Sequence, residues 1–431
     1  MEKKREYVLH SLHRYWPRNQ EQILDLPMPK ADIASHAVFP PKFIEVALPE
    51  WASDVSVNGS LLIPRTTSTH SKTYSWDNTD WIAAAFWYLN GSAERAFERK
   101  HGPIHSNCFR LKNWDPRMWE RAWVNRIALF LRRWAAYLKN CSEDEVFGSL
   151  SSPEIILTHD VDAVEKTLIL RTKQFLFHLI NLSRNIINGN WNQASFKAVD
   201  ALRFFFSRAD YWCFDEIMEL EKRFGVRSHF NFYGGQGGWS RTPKELLFDP
   251  SYNIMSPRLR EIIQILEKGG WKVGLHPSFN TWGNLEKLRK EKKLLENVLR
   301  KSVGNCRQHW LKFSWEKTWQ TQEDAGFKLD TTLGFNDRPG FRVGSAIEYF
   351  PWHAQEQKPM DIAVIPMVLM DSHFYDYGNM SLEQCFNSLE YWLKEINEVR
   401  GTATIIWHQR VMSPDYGWGS GYRHILSYLN K

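Results

Sequence analysis

The 431-residue chain predicts an α/β fold in which a β/α barrel over about 151–431 follows a mixed α+β module over 1–150. Three observations support this. From about residue 151, short apolar runs rich in β-formers alternate with amphipathic helical patterns four or five times, and repeated βα units demand a parallel sheet, open or closed into a barrel. Reactive side chains recur at the carboxyl ends of those runs, where the loops of parallel sheets converge. The first 150 residues differ in texture, with Pro-interrupted stretches at Phe39-Pro40-Pro41 and Ile63-Pro64 ahead of two helical patterns.

Taken in order, the N-terminal module is marked by Trp119, Trp123, Ile127, Phe130, Trp134 and Leu138, which recur at helical spacing and line one face. The chain holds 21 tryptophans, and tryptophan faces stack on sugar rings, but a stripe at this spacing reads first as core. The repeat then opens with a buried strand at 154–160. A helix at 215–224 leads into a strand at 226–233, and a helix at 257–268 is stopped by Gly269 and Gly270 before a strand at 271–276. A highly charged helix at 284–303 ends at Gly304, ahead of a strand at 306–313. There follow a helix at 316–325 with Gly326, strands at 327–333 and 363–370, a helix at 381–399 with Gly401, and a last strand at 402–407.

The stretch 165–209, between the first two strands, is too long for an ordinary crossover and reads as a helical insertion. It carries seven Lys and Arg against two acids, with Phe175, Leu179, Leu182 and Ile186 on one helical stripe. A basic amphipathic helix can lie at a membrane surface, and it can equally pack on the barrel.

Composition narrows the classes. With 43% hydrophobic and 24% charged residues the chain is neither disordered nor a disulfide scaffold. A net charge of +6 permits an anionic ligand without requiring nucleic acid. Five scattered cysteines lack a C-x-x-C pair, so no thiolate zinc site is indicated. No apolar run approaches the roughly 18–20 residues of a membrane span, and no apolar segment follows the charged start, so the expected compartment is the cytoplasm. Oligomeric state is not legible.

The chemistry collects at strand ends. The first strand closes on Thr158-His159-Asp160-Val161-Asp162, the third on His276-Pro277-Ser278-Phe279-Asn280, the fourth carries Arg307-Gln308-His309, and the last closes on Trp407-His408-Gln409. A single strand-end Asp is commonly a helix cap, and a single His a structural residue. Repetition at four ends suits metal binding and proton transfer at one shared site. The loop Asn336–Gly344 adds Arg338 and Arg342, a guanidinium pair that fits a phosphate or carboxylate, unless loop acids such as Asp337 or Glu348 tie it down. No phosphate-binding glycine loop or serine nucleophile elbow is present.

In their order and strand placement, Thr158–Asp162, Gly274–Asn280, Arg307–His309, Asp330–Phe335 and Ile405–His408 resemble the motif series of the polysaccharide deacetylases, carbohydrate esterase family four. The resemblance covers about 154–412. It implies a distorted seven-stranded barrel and metal-dependent removal of N-acyl groups, N-acetyl foremost, from amino sugars.

On that resemblance Asp160 is the general base, Asp162 and His276 hold the metal, Arg307 fixes the base carboxylate, and His408 is the general acid. Asp160 and Asp162 are separated by Val161 where the family has adjacent aspartates. The family's second metal histidine falls on Asn280, which is read as the third ligand; the implied ion is a divalent metal, zinc foremost, with the oxygen donor of Asn280 loosening the preference toward manganese, cobalt or even magnesium. His229 and His309 are reserve ligands, with His309, Arg338 and Arg342 as substrate contacts. The implied partner is a carbohydrate: an oligosaccharide or a nucleotide- or lipid-linked precursor of a surface polysaccharide or lipopolysaccharide. Peripheral contact with the inner membrane face is a further expectation. A glycan-binding pseudoenzyme and a hydrolase of non-sugar amides are the rival readings.

Overall fold

The computed structural model describes residues 2–31, 39–68, 74–187, 202, 204–237, 241–376 and 380–430. The fold is α/β, built on a parallel sheet. Its strands are β3 (Glu154–Val161), β4 (His229–Phe232), β5 (Lys272–Leu275), β6 (Asn305–Cys306), β7 (Leu329–Asp330), β10 (Ala363–Val364), β11 (Met367–Met370) and β12 (Thr402–Ile406). The hydrogen-bonded order is β10-β7-β6-β5-β4-β3-β12-β11, a curled eight-stranded sheet of the expected barrel type. Two antiparallel pairs lie outside it, β1 (Phe43–Ala47) with β2 (Ser60–Pro64), and β8 (Trp352–His353) with β9 (Lys358–Pro359).

The chain forms two compact units, neither of them continuous in sequence. One comprises 1–157, 280–288 and 304–405; the other comprises 158–279, 289–303 and 406–431. The first unit includes β6, β7, β10 and β11 as well as the N-terminal residues.

Within the first unit, the expected tryptophan stripe is core. Trp119, Trp123, Ile127, Phe130 and Trp134 are buried, and only Leu138 at its end is exposed. The helix Trp123–Lys139 carries most of this face, and Trp81 and Trp76 meet Phe130 and Trp134 edge-on. Such apolar burial is the main favourable term in folding. In the same unit β6 and β7 pair in parallel, as do β7 and β10. The strand expected over 327–333 shrinks to Leu329–Asp330. The buried Asp330 carboxylate accepts from Trp319, Gln322 and Thr332, and these side-chain bonds take over where the ladder stops. Burial raises that carboxyl's pKa.

In the second unit β3, β4 and β5 are parallel, with Val161 opposite Phe232 and Phe232 opposite Leu275. The helix Phe214–Arg223 presents Phe214 and Ile217 to the sheet, and Pro257–Lys268 buries Leu259, Ile262, Ile263 and Leu266. A helix at Leu168–Ile187 occupies the start of the expected insertion. Residues 188–201 and Arg203 of that insertion lie outside the described residues.

Candidate active site

Register determines which side chains meet in the second unit. Because Val161, Phe232 and Leu275 are level, the next residues, Asp162 and His276, leave the ends of β3 and β5 at the same height. Alternation along β3 sends Asp160 and Asp162 to one face and His159 to the other. Asp162 Oδ1 lies 3.4 Å from His276 Nε2, and Asp162 Oδ2 lies 3.6 Å from His408 Nε2. His408 arrives by the same logic, since Trp407 N–H donates to the Thr158 carbonyl at 2.9 Å and sets the next residue beside the end of β3. Asp160 is buried, and Asn231 Nδ2 donates to its Oδ1 at 2.9 Å from the level position on β4.

Three residues that sequence reasoning did not single out shape this cluster. Arg410, in the short turn Gln409–Met412 after His408, donates from Nη1 to Asp162 Oδ2. Burial alone would lower the Arg410 pKa, but the charge of Asp162 outweighs it and the group is raised. Tyr252 ties two strand ends together: its hydroxyl accepts from Tyr233 N–H at 2.6 Å and donates to the Val161 carbonyl at 2.7 Å, one residue before Asp162. Asn231 is the third. No pattern marks these residues, because their partners come from distant segments.

The loop after His276 is held by buried carboxylates. Ser278 N–H donates to Glu291 Oε2 at 2.8 Å, Phe279 N–H donates to Asp249 Oδ1 at 2.7 Å, and Phe279 stacks on Phe248 with ring centres 4.5 Å apart. His159, on the other face of β3, has a structural role. Its Nδ1 is 2.6 Å from the Trp407 carbonyl, and its Nε2 is 2.9 Å from Glu221 Oε1. Glu221 also accepts from Tyr422 OH, Ser228 N–H and Trp271 Nε1. Burial would raise the Glu221 carboxyl, but His159 and these other donors hold it below the ordinary range.

The donor chemistry at Asp162 and His276 fits a divalent ion. Two ligands each about 2.0–2.1 Å from a tetrahedral zinc stand about 3.3 Å apart, close to the separation of Asp162 Oδ1 and His276 Nε2. Arg410 on the second oxygen is compatible with one-oxygen ligation, in which an outer group orients the ligating carboxylate.

Other predicted residues are placed as follows. His229 opens β4 level with Thr158, three residues before the strand's end. Asp162 lies one residue beyond that end, so at about 3.3 Å per residue His229 is roughly 13 Å along the strand from its level, which removes it as a reserve ligand. In the first unit Asn280 is a half-buried turn residue. Arg307 is buried, donating to the Thr331 carbonyl at 3.0 Å and Thr404 Oγ1 at 3.2 Å. His309 is buried at the head of a turn in which Trp310 (φ 57°) and Leu311 (φ 46°) are both left-handed. Each costs about 1–2 kcal/mol for a side chain with a Cβ. Ser106 Oγ and Asn336 Nδ2 hold the turn through the Trp310 carbonyl, at 3.1 and 2.7 Å.

Arg342 departs from its expected role. It is 2% exposed, with Nε and Nη2 on Glu94 and Nη1 on the Gly334 carbonyl, so its guanidinium is committed within the core. The loop acid Asp337 instead accepts from the N–H groups of Cys108 and Phe109. Arg338 donates to the Pro339 carbonyl and lies with its guanidinium carbon 5.3 Å from the centre of a Trp119 ring.

A parallel α/β sheet whose strand ends gather aspartates and histidines belongs to the class that binds ligands at its carboxyl rim. No family model and no curated protein matches the chain. Solved structures similar to it include a putative polysaccharide deacetylase from Mycobacterium smegmatis, 15% identical, covering 65% of this chain and 84% of that one with a TM-score of 0.38. Puue allantoinase is 12% identical over 64% of this chain and 83% of its own, at a TM-score of 0.39. A carbohydrate esterase family four pseudoenzyme from Bacillus anthracis is 8% identical over 64% and 62%, at 0.28.

Proposed function

We propose that the chain is a metal-dependent hydrolase that removes an N-acyl group, acetyl foremost, from an amino sugar of a polysaccharide or its precursor. The observation that carries this reading is the Asp162 carboxylate, with one oxygen 3.4 Å from His276 Nε2 and the other 3.6 Å from His408 Nε2.

Asp162 and His276 are the proposed metal ligands, with Asn280 and His309 as the candidates for the third. A second imidazole gives the one-carboxylate, two-nitrogen set that suits zinc. A divalent ion held there would supply Lewis acidity toward the acyl carbonyl and acidify an attacking water.

The chain's own groups move the protons. Asp160, oriented by Asn231, accepts the proton of the attacking water. His408 donates a proton to the departing nitrogen, for which imidazole is the side chain that titrates near neutral pH. Arg307 stabilises the ionised base. Carboxylic acid and free amine are the products.

The test is release of acetate from N-acetylated amino-sugar oligosaccharides by protein loaded with zinc, manganese or cobalt. Asp160→Asn should leave bound metal unchanged and cut turnover by about 10²–10⁴. Full activity in that variant would overturn the assignment of the base. One observation favours a glycan-binding pseudoenzyme: Arg410 already places a cation on Asp162. Oligosaccharide binding without release of acetate under any of the three ions would decide for it.

A further inference from the structure

We propose that the helix Leu168–Ile187 is a docking face for an anionic lipid bilayer, on which it lies without crossing. This stands independently of the proposed chemistry. On its inner side Leu170 packs against the cluster of Ala163, Phe204 and Tyr211, and Phe175 meets Phe205 with ring centres 5.5 Å apart. Arg171 fastens the same side by donating to the carbonyls of Phe205 and Ser207. A second stripe, at steps of four, four, three, four and three, runs Leu168, Thr172, Leu176, Leu179, Ser183, Ile186, and every member is exposed. Its four aliphatic side chains are 70%, 53%, 38% and 40% accessible in chain order. The return segment adds Leu202 at 54% and Phe206 at 72%.

Charge identifies the occupant. Residues 165–209 hold seven Lys and Arg and two acids, a net +5, whereas the chain as a whole is +6 with 55 against 49. The other 386 residues therefore carry 48 bases and 47 acids, a net +1. Almost all the excess positive charge sits on the segment that also presents the apolar stripe. Lys166 pairs with Asp415 and Arg171 donates inward, but the sequence supplies five further bases over 165–209, and an apolar stripe in a basic segment is the composition of a helix lying in an anionic lipid interface. No helix of the described residues is long and apolar enough to cross a membrane, which fits an in-plane arrangement.

The experiment is co-sedimentation of the full chain with vesicles of phosphatidylcholine alone or with one quarter phosphatidylglycerol, in 50 and 500 mM salt. Binding to the anionic vesicles at least about tenfold tighter than to the neutral ones, and weakened by salt, is expected. Leu176→Ser with Leu179→Ser should cost about tenfold or more. Lys173→Glu with Arg184→Glu, which spares the stripe, should remove the preference for anionic lipid. Equal binding to both vesicle types, or no loss in either double variant, would overturn the proposal. So would light scattering in which Leu176→Ser with Leu179→Ser turns a vesicle-free oligomer into a monomer, because the stripe would then serve a second copy of the chain.

Discussion

Asp162 is held by three side chains that have quite different meanings. His276 is read as its partner in metal binding and His408 as a proton donor, whereas Arg410 anchors the carboxylate from behind. A planar guanidinium both neutralises and orients, and a lysine does only the first. Arg410→Ala is therefore expected to weaken zinc affinity by about 10–100-fold, as loss of an outer-sphere partner does, and Arg410→Lys to recover part of it. Calorimetric titration of zinc into the three proteins checks this; tighter zinc binding by the alanine variant would mark Arg410 as a competitor of the ion. At this scale placement at strand ends drew attention to Asp160, Asp162, His276 and His408 along with His159, Asn280, Arg307 and His309, and the separate roles of the four came from the resemblance. Arg410, Tyr252 and Asn231 could not be read in this way, because each derives its meaning from a partner fixed by tertiary contact. Arg342 shows the converse, a residue suited to anions that Glu94 claims inside the core.

The two faces of β3 do separate work. Asp160 and Asp162 face the site, while His159 is anchored to Glu221 on the helix Phe214–Arg223 and to Tyr422 on Gly419–Leu429. The pair is fully buried, and removing one member of such a pair costs about 3 kcal/mol or more. Glu221→Gln should destabilise the protein by that order near neutral pH. Because the folded Glu221 pKa is depressed, its contribution is complete above the ordinary glutamate value of about 4.3 and is lost as pH falls through the folded value. Thermal unfolding of both proteins between pH 7 and 3 should show a gap in melting temperature that narrows on acidification. A gap that stays constant would place the effect in packing. The order of strands and helices was legible from periodicity and glycine stops. Strand lengths were less so: Asp330, Thr332 and their partners end β7 early, through side-chain bonds that hydrophobic patterning does not register.

Across the whole chain, two distributions matter more than any single contact. One is charge, gathered on 165–209 while the remainder is nearly balanced. The other is the tryptophan content, which the N-terminal residues use as core, as helical spacing implied. Alternating βα patterning made the parallel sheet readable from sequence. The division into 1–157 with 280–288 and 304–405 was not readable, since compactness depends on which segments pack together and a linear scan sees only changes in composition.

The decisive measurement counts zinc ions per chain after exhaustive dialysis and reloading of the 431-residue chain. One ion per chain at micromolar or tighter affinity is expected, lost in Asp162→Ala and His276→Ala and retained in Asp160→Asn. A protein that takes up no divalent ion at micromolar concentration, or holds one equally well without Asp162 and His276, would contradict it.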